Sequence, residues 1–154
     1  MENAFSCIQA IIVYITYATV IRNSSIKKRL LVALLIVIVV SIFTFKKDEI
    51  STITNTLIRV YLIFSVLYFF VYLLEELKVE NLFLYGFFWV SAGILIYATG
   101  TLFTYLFSEY VFSPNTSDEA FELYWNITQL TSILFTLLAS LGIFVSKFEN
   151  TAIA

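Results

Sequence analysis

Residues 30–40 read LLVALLIVIVV and residues 67–74 read LYFFVYLL. Both are continuous apolar runs, without the in–out alternation that a membrane barrel strand requires. In hydrocarbon a backbone must satisfy its own polar groups, and a helix does so within the segment. Richness in β-branched and aromatic residues is therefore no argument for strands there. The two stretches read as helices in lipid, and the rest of the chain extends that reading. Of 154 residues, 60% are hydrophobic and only 13% charged, against about 25% charged in an ordinary soluble domain. Nine basic and 11 acidic side chains are too few to cover a water-soluble globule of that apolarity.

The charges cluster, and the intervals between clusters define the spans. Residues 3–21, 30–45, 60–74, 81–108 and 123–146 contain no charge. Crossing a bilayer as helix takes about 20 mostly apolar residues. The first interval and the last two suffice alone. The second is extended by Arg29 and Lys46 snorkelling from its ends. The third is long enough if its helix begins near Ile53 and takes in Arg59. The expected architecture is an all-α, polytopic transmembrane helix bundle of about five spans, near residues 4–21, 30–46, 54–75, 82–107 and 121–146. All lie in one transmembrane domain over residues 1–154. Four spans are expected instead if the second and third segments are re-entrant or interfacial.

Lys and Arg in short loops set orientation. Arg22, Lys27, Lys28 and Arg29 follow the first span, Lys46 and Lys47 the second, Lys78 the third, and Lys147 the last. With the N-terminus outside, six of these are cytoplasmic and two external, or three external counting Arg59. The expectation is an integral protein of the bacterial inner membrane, N-terminus outside and C-terminus cytoplasmic. The chain opens Met1-Glu2-Asn3 without the basic n-region of a signal peptide, so the first span is expected to be retained.

The same counts exclude chemistry. There is no His, the commonest general base, and a single Cys, Cys7. A Cys-based zinc site and an internal disulfide are thereby ruled out. A net charge of −2 offers no basic excess for nucleic acid. No enzymatic centre, metal site or cofactor is expected, and Cys7 reads as a packing residue because no His partner exists. Glu75 and Glu76 point about 100° apart on a helix, so they read as a helix end in water.

The candidate site residues fall in three groups. Arg59 lies two turns inside the third span if that helix starts at Ile53, where an ionisable group is a functional hypothesis by default. If the helix starts at Thr56 the guanidinium reaches the headgroups, and this interfacial reading is preferred. In the fourth span Trp89, Gly93, Tyr97, Gly100 or Thr101, and Thr104 recur on one side. In the last, Trp125, Gln129, Ser132, Thr136 and Ser140 do the same, with Ala139 and Gly142 adjacent. Facing each other, the stripes form a tight, weakly polar seam, since small residues let membrane helices approach closely. The functional alternative is a shallow ligand pocket opening near Trp89 or Trp125, although Trp and Tyr are expected at membrane boundaries anyway.

Three local expectations complete the reading. Gln9, Tyr14, Thr16 and Tyr17 give the first span polarity, read as interhelical hydrogen bonding. Between Glu109 and Glu122, Ser113-Pro114-Asn115 reads as a turn and Ser117-Asp118-Glu119 as the cap of the last helix. Asn23, Asn115 and Asn126 begin N-x-S/T patterns, which are taken as chance.

Residues 67–106, LYFFVYLLEELKVENLFLYGFFWVSAGILIYATGTLFTYL, resemble a segment of small, uncharacterised bacterial multi-span proteins. There an apolar helix ends in a charged linker, and the next helix begins with Phe-Trp. Here the shared features are Phe88-Trp89, Gly93, Leu95-Ile96-Tyr97 and Gly100-Thr101-Leu102-Phe103. The segment is similar to membrane-embedded sensor regions of some histidine kinases. The resemblance implies sensing by the helices and assigns no catalytic residue; none of these 154 residues reads as an output domain. The expected function is a non-catalytic integral membrane module, sensing or scaffolding through helix packing and a partner protein. In that role the fourth and fifth spans would shift against each other. The alternative is a subunit of an oligomeric small-solute or ion transporter or channel. Expected partners are the lipid bilayer and either a homo-oligomer or a membrane signalling protein, with no nucleic acid.

Overall fold

Asn23 stands in the short break between two helices and caps the second. In the computed structural model, which describes residues 2–44, 51–75, 81–111, 113 and 116–151, α1 (Glu2–Val20) is followed by α2 (Ser24–Phe43). The Asn23 side chain accepts from Ser25 N at 2.9 Å and Ile26 N at 3.4 Å, satisfying donors that the first turn of a helix leaves open. Its glycosylation-like pattern is thus accounted for by a cap. After α3 (Thr52–Glu75), a 3-10 turn at Leu82–Leu84 leads into α4 (Gly86–Leu106). A single turn, α5 (Ser108–Val111), precedes α6 (Asp118–Val145), which ends in a 3-10 segment, Ser146–Thr151. Ser117 caps α6 as expected, accepting from Ala120 N at 3.3 Å. Lys46, Lys47, Glu76, Lys78 and the Pro114-Asn115 turn lie outside the described residues.

Among the described residues 92% are helical and none is in a strand; the fold is an all-α bundle. Asn3–Val20, Thr52–Glu75, Gly86–Leu106 and Asp118–Phe148 are long and apolar enough to cross a membrane. The expected second span, α2, does not qualify by itself. Lys27, Lys28 and Arg29 occupy its first two turns, leaving residues 30–43, about 21 Å of helix, against a hydrocarbon core of about 30 Å. The third segment, by contrast, is a full 24-residue helix.

Successive long helices run in opposite directions, and side-chain contacts fix their ends. Tyr17, near the end of α1, donates to Ser91 near the start of α4 at 3.1 Å. Tyr72, near the end of α3, accepts from Arg22 N at 3.0 Å. Thr44, closing α2, is 2.9 Å from Thr54 at the start of α3. Arg22, Lys27, Lys28, Arg29 and Lys147 therefore gather at one end of the bundle, and Glu109, Asp118, Glu119 and Glu122 at the other.

The core is built around α3. It packs on α4 along one side and on α1 and α2 along the other. Asn55, Ile58, Arg59, Leu62, Val66, Phe69 and Leu73 are buried along it, at the three- and four-residue spacing of one helix face. Phe69 stacks on Tyr17 with ring centroids 5.0 Å apart, and Ile94 and Ala98 of α4 close the layer. α6 stands outside this cluster, packed along α4 and with no comparable contact to another long helix.

Candidate functional site

Arg59 is 1% exposed. α3 begins at Thr52 rather than Thr56, so Arg59 is seven residues, about 10 Å, from the helix start. Its guanidinium turns inward. The condition for the preferred interfacial reading, a helix start at Thr56, is not met, and the side chain is held between α1 and α4. One terminal nitrogen donates to Gln9 Oε1 at 2.7 Å and the other to Tyr97 Oη at 3.2 Å. The guanidinium carbon lies 4.8 Å from the Tyr97 ring centroid and 4.7 Å from that of Tyr105. Tyr97, Thr101 and Tyr105 are spaced by four on α4, one above another on one face, so two aromatic rings bracket the cation. Fully buried Thr101 lies between them, its hydroxyl donating to Tyr97 O at 2.7 Å.

The electrostatics of this arrangement are unusual. No carboxylate stands within ion-pair distance of Arg59 among the described residues, and its Nε is buried without a hydrogen-bond partner. Removing a guanidinium from water costs several kcal/mol. Two desolvated cation–π contacts return about 2 kcal/mol each. The ring faces and the amide oxygen of Gln9 thus hold the charge by polarity alone. A second polar layer adjoins it one turn nearer the start of α3. Asn55 Nδ2 donates to Asn3 Oδ1 at 2.9 Å, Ser6 Oγ donates to Asn55 Oδ1 at 2.6 Å, and Ser51 N donates to Asn3 Oδ1 at 3.0 Å. Thr52 and Ser108 hydroxyls meet at 2.7 Å. These bonds tie α1, α3 and α5 together at the acidic end.

The seam between α4 and α6 is the second candidate region. On α4 it runs through Gly86, Val90, Gly93, Tyr97, Gly100 and Thr104; on α6 through Thr128, Thr131, Phe135, Leu138 and Gly142. A Cβ on Gly86 would stand 2.6 Å from Gly142 O, and one on Gly142 would stand 2.6 Å from Gly86 O. Gly93 faces Phe135 and Leu138, and Gly100 lies against Thr131. Tyr97 packs on Phe135 with centroids 5.9 Å apart, and the Thr104 and Thr128 hydroxyls are 3.4 Å apart. Both sets alternate spacings of four and three, the 3.5-residue repeat of two helices wound closely together. Glycine at every seventh position of α4 brings the backbones near enough for direct contact.

The structure brings some expected residues together and separates others. Gly93, Tyr97 and Gly100 lie on the seam, and Thr101 belongs to the Arg59 site. Trp89 instead closes the turn before α4: its indole donates to Phe83 O at 2.9 Å and its ring meets Phe88 at 5.5 Å. On α6 the expected stripe is misplaced. Gln129, Thr136 and Ser140 are exposed, and the true seam is offset from them by about one residue, or 100° of rotation. Thr136 and Ser140 turn their hydroxyls onto their own helix, at Ser132 O and Thr136 O. Trp125 is 51% exposed and stacked on Phe121. It borders a small cavity of about 60 Å³ whose wall includes Thr104, Tyr105, Tyr124 and Thr128, beside the expected Trp125 pocket position.

In α1, Gln9 and Tyr17 make the expected interhelical bonds, whereas Thr16 bonds its own helix at Ile12 O. Sequence reasoning missed three contributors. Tyr105 repeats the Tyr97-Thr101 spacing and was there to be read. Gly86 precedes Gly93 by seven. Asn55 precedes Arg59 by one turn on the same face. Among the described residues no three His, Cys, Asp or Glu side chains converge as metal ligands would. In comparisons with known proteins, the chain matches no protein-family model, no curated protein and no solved structure.

Proposed function

We propose that this chain is a non-catalytic integral membrane module that senses or scaffolds by docking a partner helix against α6. The observation that carries the reading is the isolation of α6. Only 11% of its apolar span is buried, against 50% for α3. Its outward surface is not uniformly lipid-like: Gln129 presents a primary amide with no hydrogen-bond partner among the described residues. Thr136 and Ser140 continue that surface with small side chains. In lipid there is no hydrophobic drive between helices, so close packing of small residues and interhelical hydrogen bonds supply the association. A second copy of the chain is the simplest partner, and a membrane signalling protein would use the same surface. The resemblance of residues 67–106 to sensor regions is in line with this role.

The expected mechanism needs one revision. The Gly86–Gly142 contact leaves no slack for sliding between α4 and α6, so we take them to move together. The joint for that movement is Arg59, whose contacts on α4 are ring faces and a hydroxyl rather than a rigid ion pair. By the rule that basic loops stay inside, we assign the end carrying Arg22, Lys27, Lys28, Arg29 and Lys147 to the cytoplasm. That sets the N-terminus outside and the C-terminus within, across a bacterial inner membrane.

The test is reconstitution at defined lipid dilution with self-association followed by energy transfer, together with copurification from membranes. Association that Gln129→Leu weakens by about threefold to thirtyfold, the effect of one interhelical hydrogen bond, is the expected result. A stoichiometric membrane partner lost on the same substitution serves equally. Solute or ion flux through liposomes holding this chain alone, abolished by Arg59→Ala, would replace this reading with the transporter one.

A further inference from the structure

A groove of about 400 Å³ runs along the meeting line of α2 and α3, away from both the Arg59 site and α6. Its wall on α3 extends from Leu57 to Tyr68, about 16 Å of helix rise. The volume falls in the range of small-molecule sites, and the wall is apolar apart from Arg29, Ser65 and Tyr68. Arg29 forms part of it at the basic end of the bundle. Tyr61 is 4% exposed and its hydroxyl is buried, so it lends the wall ring surface only. Ser65 lies one turn beyond Tyr61 on the same wall, its own proton donated to Tyr61 O at 2.8 Å.

We propose that this groove is a binding site for one anionic phospholipid. One acyl chain lies along Ala33, Val37, Val60 and Phe64, and the phosphate is held by Arg29. The charge argues for that occupant. Lys27 and Lys28 stand beside Arg29 in the first two turns of α2, and a basic cluster at a membrane surface attracts anionic headgroups. The acyl chain gains little by leaving one hydrocarbon medium for another, so selectivity rests on the polar contacts. This inference is independent of the role assigned to α6.

Native mass spectrometry of the full chain in detergent, offered phosphatidylglycerol or phosphatidylcholine at equal concentration, tests it. One retained lipid is expected, with phosphatidylglycerol preferred by about fivefold, the effect of one basic residue at the headgroup. Arg29→Gln should reduce that preference to about parity. Ala33→Phe, which fills the groove, should remove the adduct. Circular dichroism and melting of each variant check that the bundle is intact; should Ala33→Phe unfold it, Ala33→Leu takes its place. Equal retention of the two lipids by the unaltered chain, or an adduct that survives filling of the groove in a folded variant, would overturn the proposal.

Discussion

α3 and α6 are the two longest helices, and both are strongly apolar, yet they live in different surroundings. α3 is enclosed by α1, α2 and α4 and carries the one charged side chain among the largest fully buried ones, Arg59. α6 has α4 on one side, while Leu130, Ile133, Leu137 and Ile143 lie exposed on its other faces. Apolarity shows that a segment belongs in hydrocarbon. It does not show whether that hydrocarbon is protein or lipid. What separates the pair is the placement of polar groups: Asn55 and Arg59 of α3 reach inward to named partners, while the Gln129 amide of α6 points outward, with none among the described residues. A buried charge inside and an open amide outside are complementary clues to where the molecule works.

The comparison can be broken in four places. The largest effect is expected at the seam that attaches α6. Gly142→Leu drives a side chain into Gly86 O and the α4 backbone, which cannot yield as a flexible side chain does. Thermal unfolding in detergent should show a loss of about 3 kcal/mol, the upper end for overpacking. A variant as stable as the parent would mean that α6 is not seated on α4 as described.

Next is the polar layer at the start of α3. Asn55→Leu removes the side-chain bonds to Ser6, Asn3 and the Ser51 carbonyl, and a loss of about 2 kcal/mol is expected in the same measurement, from buried groups left unpaired. Arg59→Met should come third, changing stability by about 1 kcal/mol or less in either direction. Relief of charge desolvation offsets the lost ring contacts and hydrogen bonds. A change near 4 kcal/mol would make Arg59 a structural pin; a small one, with partner binding lost, would make it functional. The smallest effect is expected outside. Leu137→Ala, on a side chain 62% exposed, should stay within about 0.5 kcal/mol if lipid is its only neighbour. A larger loss, appearing only at high protein-to-lipid ratio, would locate the partner surface on α6.

Much of the fold was legible in the chain because the signal is one of solvent. Long uncharged intervals such as residues 81–108 and 123–146 need helices wherever they are dissolved in hydrocarbon. The spacing of Gly93 and Gly100 likewise announced a close helix pair. The α6 face was not legible, because in lipid nearly every position can be apolar and the contrast that marks a core face in water disappears. Small polar residues such as Gln129 and Thr136 then imitate a seam while looking outward. Arg59 was ambiguous for a related reason: its long stem can carry the charge outward along the helix or inward under a neighbour.

The sequence by itself determined the medium, the helical class and the positions where helices stop, since those follow from transfer free energy and from caps such as Asn23 and Ser117, all local properties of the chain. Which helix encloses which, where the guanidinium of Arg59 rests, and which edge of α6 meets the glycines of α4 were decided by tertiary structure. Those choices depend on the fit of whole surfaces, such as Gly86 against Gly142, and no single segment carries that information.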